Sequence, residues 1–135
     1  MFDFYLQMAS LLVVALLFGG MFLFSAGFAA FLFKYLPAQE ALMLIRQAFP
    51  LFYVFVIAAS GLATVLSWGH DQFNATAMAL VMLSAVAARQ LLMPAINRAS
   101  DLALRNRFVW LHGFSVLLTL GHIALAGVVL VHMVP

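Results

Sequence analysis

Residues 110–125 read WLHGFSVLLTLGHIAL. The stretch is apolar enough for the hydrocarbon core of a bilayer, yet it carries two imidazoles and two hydroxyls, where leucine would cost nothing. It sits inside a longer run, Phe108 to His132, which exceeds the ~20 residues a helix needs to cross a membrane. Three other runs of similar character precede it: Phe4 to Phe33, Leu51 to Trp68 and Ala75 to Leu92. None alternates strictly, so barrel strands are excluded, and lipid leaves helices as the only other way to satisfy the backbone. The expected fold is an all-α integral membrane protein, a four-transmembrane-helix bundle spanning residues 1–135 as one domain.

Composition agrees. Of 135 residues, 67% are hydrophobic and 7% are charged, with a mean hydropathy of +1.17. That balance lies far from that of a water-soluble domain. There is no cysteine, which removes disulfides and thiolate metal sites. The formal net charge is only +2, with the basic residues confined to segment ends, so no nucleic-acid surface is expected; the partner is the lipid bilayer.

Orientation follows from the cations. Lys34 and Arg46 flank the first connection, and Arg89, Arg98, Arg105 and Arg107 surround the third. The termini and the second connection, GHDQFN at 69–74, have none. By the positive-inside rule both termini are expected to face outward, which in a bacterial inner membrane means the periplasm. Tyr5 and Trp68 are expected as outer aromatic anchors, and Tyr35, Tyr53 and Trp110 as inner ones. Because the chain starts with Asp3 near its end and lacks a basic n-region and a small-residue cleavage site, the first run is expected to be retained rather than removed as a signal peptide.

The first run is about 30 residues, or ~45 Å at 1.5 Å per residue, longer than a ~30 Å core. It must tilt, bend or protrude. Gly19 and Gly20 mark the expected bend, and Gly20 with Gly27 form a flat strip for close helix contact. In PAQEALMLIRQAFP, residues 37–50, Gln39, Glu40, Arg46 and Gln47 share about a third of the helical circumference. A short interfacial helix before span two is expected there, with Pro50 redirecting the chain. In the third connection Arg98 with Asp101, and Asp101 with Arg105, have the three- and four-residue spacings of helical ion pairs.

Helix four carries the positions with chemistry. At ~100° per residue, His112, Ser115, Thr119 and His122 fall within roughly 80° of one another. A stripe of that kind belongs inside the bundle. A second stripe, Ser60, Thr64, Ser67 and Asp71, runs along helix two. Facing each other, the two stripes would surround a ligand, a metal, a haem or a proton path. Alternatively, the hydroxyls simply join helices, at about 0.6 to 2 kcal/mol per bond. His112 lies at the inner interface beside Trp110. His122, ~18 Å along the helix from Trp110, lies near the midplane, with Ser or Thr of helix two, or Ser84 of helix three, as candidate partners.

His112 and His122 are the candidate metal ligands, but ~15 Å apart they cannot share one iron. The cofactors left open are haem b or a metal ion; a haem would pair His122 with a methionine such as Met21 or Met82. Outside, His70, Asp71, His132 and Asp3 could converge on one metal. No nucleophile-base pair, phosphate loop or carboxylate dyad can be assembled, and cofactor-dependent redox is the one enzyme class left.

The segments FGGMFLFSAGFAAFLFKYLPAQEA (18–41), FPLFY (49–53), MPAINRASD (93–101) and RFVWLHGFSVLL (107–118) resemble, in order, a family of small four-helix bacterial membrane proteins of unknown function, related to the eukaryotic transmembrane proteins linked with cisplatin resistance. The resemblance runs from Gly19 to Leu118 and implies His112, Arg98 and Asp101 as marked positions. More distantly, the Gly19-Gly20 region resembles the copper-resistance D proteins and the haem-binding membrane protoporphyrinogen oxidase. Those carry a histidine early in the first helix, where this chain has Gln7 and Ser10.

The expected function is a non-catalytic inner-membrane protein that binds or passes a small ligand through His122, His112, Ser115 and Thr119 of helix four, with Arg98 and Asp101 at the inner side. Two alternatives stay open: a structural or accessory subunit of a larger membrane complex, and a haem-dependent oxidoreductase. A chain of 14.8 kDa leaves little room for a pore in one protomer, so passage would need a homo-oligomer.

Overall fold

The chain reverses direction three times, at Leu36–Pro37, Trp68–Asp71 and Leu102–Leu104, and is helical between. The computed structural model describes residues 1–134. Helix α1 (Phe2–Phe22) passes through a π-helical turn (23–28) into α2 (Ala29–Tyr35), and α3 covers Ala38–Ser67. Helix α4 (Gln72–Ala87) passes through a second π turn (88–92) into α5 (Met93–Asp101), and α6 covers Arg105–Met133. That makes four helices long and apolar enough to cross a membrane: Phe2–Tyr35, Ala38–Ser67, Gln72–Asp101 and Arg105–Met133. No strand occurs among the described residues.

Each reversal has a local cause. Pro37 pushes Leu36 into extended backbone, at φ −123° and ψ 152°, which ends the first helix and starts α3. Asp71 caps α4, its side chain accepting from the Asn74 backbone N–H at 3.1 Å. At the third turn Leu104 N–H reaches back to the Ala99 carbonyl at 2.9 Å, across Ala103 at φ 54°. This closes the helix as a Schellman motif does, with alanine in the place glycine usually takes.

The core follows from spacing. Val14, Leu17 and Met21 of α1, and Val56, Ala59 and Ala63 of α3, recur at three and four residues and are buried. Ala77, Met78, Val81 and Ala85 of α4, with Ala126 and Val129 of α6, complete it. The alanines let backbones approach closely, which is how helices pack where lipid supplies no hydrophobic driving force. Around the bundle, α3 lies between α1 and α4, and α6 lies between α1 and α4 on the far side. Helices α3 and α6 are therefore diagonal.

Several sequence expectations change here. The helix runs through Gly19 and Gly20 without interruption, and the irregular turn comes just after, at 23–28. Its widened geometry carries Phe24 onto Phe52 of α3, stacked at 4.4 Å, and against Phe49 at 5.4 Å. Gly20 does allow close contact, since a Cβ there would lie 2.7 Å from the Phe55 ring, whereas the near neighbour of Gly27 is Leu23 of its own helix. Residues 38–49 are helical as expected, but they do not form a separate interfacial helix: they are the first turns of α3, with Pro50 inside it. Pro50 leaves only the Arg46 carbonyl without its helical donor, and Arg89 Nε donates to the Pro50 carbonyl at 3.3 Å, tying the 88–92 turn to α3. The second π turn precedes Pro94 and relieves the clash that proline makes with the preceding turn. Tyr5, Trp68, Tyr35 and Trp110 are exposed, as anchors should be, but Tyr53 is only 1% exposed and belongs to the core.

Candidate functional site

The α6 stripe divides by depth. His122 and Thr119 are buried and Ser115 is half-buried, while His112 is exposed and lies flat on Phe108, ring centroids 5.7 Å apart. His122 Nε2 is 2.7 Å from Ser84 Oγ on α4, and Ser84 Oγ is 2.7 Å from its own helix carbonyl at Leu80. One proton arrangement satisfies both contacts: His122 Nε2–H donates to Ser84, and Ser84 donates to Leu80. Ser84 was one of the candidate partners; the hydroxyls of helix two were the others. They do not meet the α6 stripe, because α3 is diagonal to α6. Ser60 donates to Val56 at 2.5 Å and Thr64 donates to Ser60 at 2.8 Å, both within α3.

The contact to His122 makes an asymmetric prediction. Ser84→Ala strands a buried imidazole, which costs about 1 to 3 kcal/mol, so the midpoint of thermal unfolding in detergent should fall. Adding His122→Leu should recover most of that loss. If the double variant unfolds no later than Ser84→Ala, His122 has a further partner.

The histidines do not form a pair. His112 and His122 stand at different depths, one exposed and one buried. Met82, two residues from Ser84 and so ~200° around α4, meets Gly61 of α3, its sulfur 3.1 Å from where a Cβ would sit. It points away from His122. Met21 is buried within the core cluster.

At the end of the bundle that holds the basic residues, Arg46 grips Asp101 through two hydrogen bonds, Nη1 to Oδ1 at 2.8 Å and Nη2 to Oδ2 at 2.9 Å. Asp101 thus pairs across the bundle with Arg46 of α3, rather than with Arg98 or Arg105 of its own connection. Both groups lie beyond the apolar stretches 51–68 and 75–92. The guanidinium holds the Asp101 carboxyl below its ordinary range, chiefly through the hydrogen bond it donates. A lowered carboxyl favours the folded state above its unfolded pKa, and that benefit fades as the pH falls through the folded value. Exposed and screened by salt, the pair fixes the position of α5 against α3 more than it adds stability.

The opposite, acidic end holds a half-open cavity of about 160 Å³. Gln7 of α1, His70 and Asp71 of the α3–α4 turn, Asn74 of α4 and His132 of α6 give it a polar lining. Met8, Leu11 and Met133 give it an apolar one. His132 Nε2 stands 3.5 Å from Asp71 Oδ2, and the His132 ring packs on Phe73 at 4.7 Å. Asn74 is 1% exposed, and its side-chain oxygen is buried with no hydrogen-bond partner among the described residues. One turn deeper, Ser10 of α1 and Ser67 of α3 bond to each other at 2.9 Å, both fully buried.

His70, Asp71 and His132, expected to converge from outside, do line one cavity. Asp3 is not part of the lining, and no group of three His, Cys, Asp or Glu side chains is arranged to hold a metal among the described residues. Gln7 and Asn74 did not stand out as site residues. The available signals were the Gln7–Ser10 spacing on α1 and the position of Asn74 three residues after a capping aspartate.

A family model described as "Domain of unknown function (DUF4149)" matches residues 12–105. The matched stretch includes His70, Asp71, Asn74, Ser84 and the Arg46–Asp101 pair, and ends before the histidines of α6. No curated protein and no solved structure matches the chain.

Proposed function

We propose, starting from the fact that this chain belongs to the DUF4149 family, that it is a non-catalytic, multi-pass protein of a bacterial inner membrane that binds a small polar ligand in the acidic-end cavity. The observation that carries this reading is the convergence of polar side chains from three helices and a turn on one cavity, with the Asn74 oxygen buried and unpartnered.

With the six Lys and Arg side chains at the other end of the bundle, the positive-inside rule turns the cavity toward the periplasm. The ligand then arrives from outside the cell. The binding place is the acidic end rather than the surroundings of His122, because His122 Nε2 is already engaged by Ser84. That same contact argues against haem at this position. Catalysis has no support at the cavity either: the neighbouring Ser10 and Ser67 hydroxyls are bonded to each other, so neither is presented to a histidine base.

Filling the cavity tests the proposal. Full-length protein in lipid nanodiscs is screened by ligand-observed NMR against neutral, cationic and anionic solutes of up to about six heavy atoms. The upper size follows from benzene, which occupies an engineered cavity of about 150 Å³. At least one class should give saturation transfer with the wild type, weakened tenfold or more by Gln7→Trp and retained by Ser84→Ala. Equal signals from wild type and Gln7→Trp would remove the cavity as the site.

A further inference from the structure

We infer that the ligand of this cavity is a small organic cation, a primary ammonium carrying a short alkyl group; the inference rests on the cavity being the binding site. Charge distribution is the first reason. The charged side chains at this end are Asp3 and Asp71, and the six basic side chains are all at the other. Field lines from Asp71 run into a cavity partly walled by apolar side chains, which strengthens attraction for a cation.

Hydrogen-bonding capacity is the second reason. Asp71 Oδ1 is engaged by the Asn74 backbone N–H. Its Oδ2 has only the long 3.5 Å approach of His132 Nε2, beyond an ordinary hydrogen bond. The Asn74 oxygen has no partner. An ammonium group brings three donors and no acceptor, which suits the carboxylate oxygen left free at Asp71 Oδ2. It would take Asp71 Oδ2 in place of His132.

Size and lining supply the third. About 160 Å³ is several times the ~30 Å³ that one water occupies in the liquid, too roomy for a bare ion. Met8, Leu11 and Met133 give the remainder an apolar wall suited to a short alkyl chain. A divalent metal is disfavoured because His70, Asp71 and His132 do not form a three-ligand set.

The matched probes are butylammonium, butanol and butyrate, titrated into full-length protein in nanodiscs of zwitterionic lipid and followed by NMR. Butylammonium should bind at least tenfold more tightly than butanol, and butyrate least. Asp71→Asn should cut butylammonium affinity tenfold or more and leave butanol unchanged. Asparagine caps a helix about as well as aspartate, so the fold is kept and the charge alone is removed. Butanol or butyrate binding as tightly as butylammonium overturns the cation while leaving the site in place. So does zinc chloride, if it binds the wild type and not Asp71→Asn while butylammonium binds neither. If no probe binds and Gln7→Trp changes nothing, the site itself falls.

Discussion

Gly20→Val should destabilise the bundle by about 1 to 3 kcal/mol, the usual cost of forcing extra methyl groups into a packed contact, and Gly19→Val should do almost nothing. The two glycines are neighbours on one helix, and the backbone cost of replacing glycine is the same for both. They differ in what lies opposite. A Cβ on Gly20 would meet two atoms of the Phe55 ring at 2.7 Å, whereas one on Gly19 meets nothing within 4 Å. Phe55 is half-buried and packs on the core, so its ring has to swing away from α1 or push α1 and α3 apart. Thermal unfolding of both variants in the same detergent separates the effects. Equal midpoints would mean that α1 and α3 do not approach at this point.

Tyr53→Phe should raise the unfolding midpoint. Tyr53 is 1% exposed, its hydroxyl is buried, and no partner for that hydroxyl exists among the described residues. The ring is held by Phe49 and Phe52, with centroids 6.2 Å and 5.5 Å away, and phenylalanine keeps those contacts. Deleting the hydroxyl alone removes a desolvation cost of about 1 to 3 kcal/mol without opening a cavity larger than one oxygen. A fall in the midpoint would show that the hydroxyl is bonded, for instance to a buried water.

These two variants also mark where reading the sequence stops. Tyr53 sits next to Pro50 and near a cationic connection, the place where an aromatic anchor is expected. It is instead buried, its ring packed against those of Phe49 and Phe52 rather than set at the interface. Gly20 looked like a bend, since glycine weakens helices in water. In a bilayer the backbone has no competing solvent, so a glycine there more often marks where another helix comes close.

The polar positions split in the same way. That His122 points inward was legible from its stripe and the cost of imidazole in lipid. That its partner is Ser84 and not Ser60 or Thr64 depends on α4, rather than α3, being the neighbour of α6. Asp101 shows it again: local spacing favoured Arg98 or Arg105, and the bidentate partner is Arg46, 55 residues away.

What composition and order alone determined is the number of spans, the segments that form them and the segregation of basic side chains to one end, because each of these is a balance between a stretch of chain and its solvent. Tertiary structure decided which helices are neighbours, which polar groups meet, and that Gln7, Asp71, Asn74 and His132 surround one cavity. Between apolar helices in lipid no hydrophobic force selects the partner; shape and a few hydrogen bonds do, and those exist only once the helices are side by side.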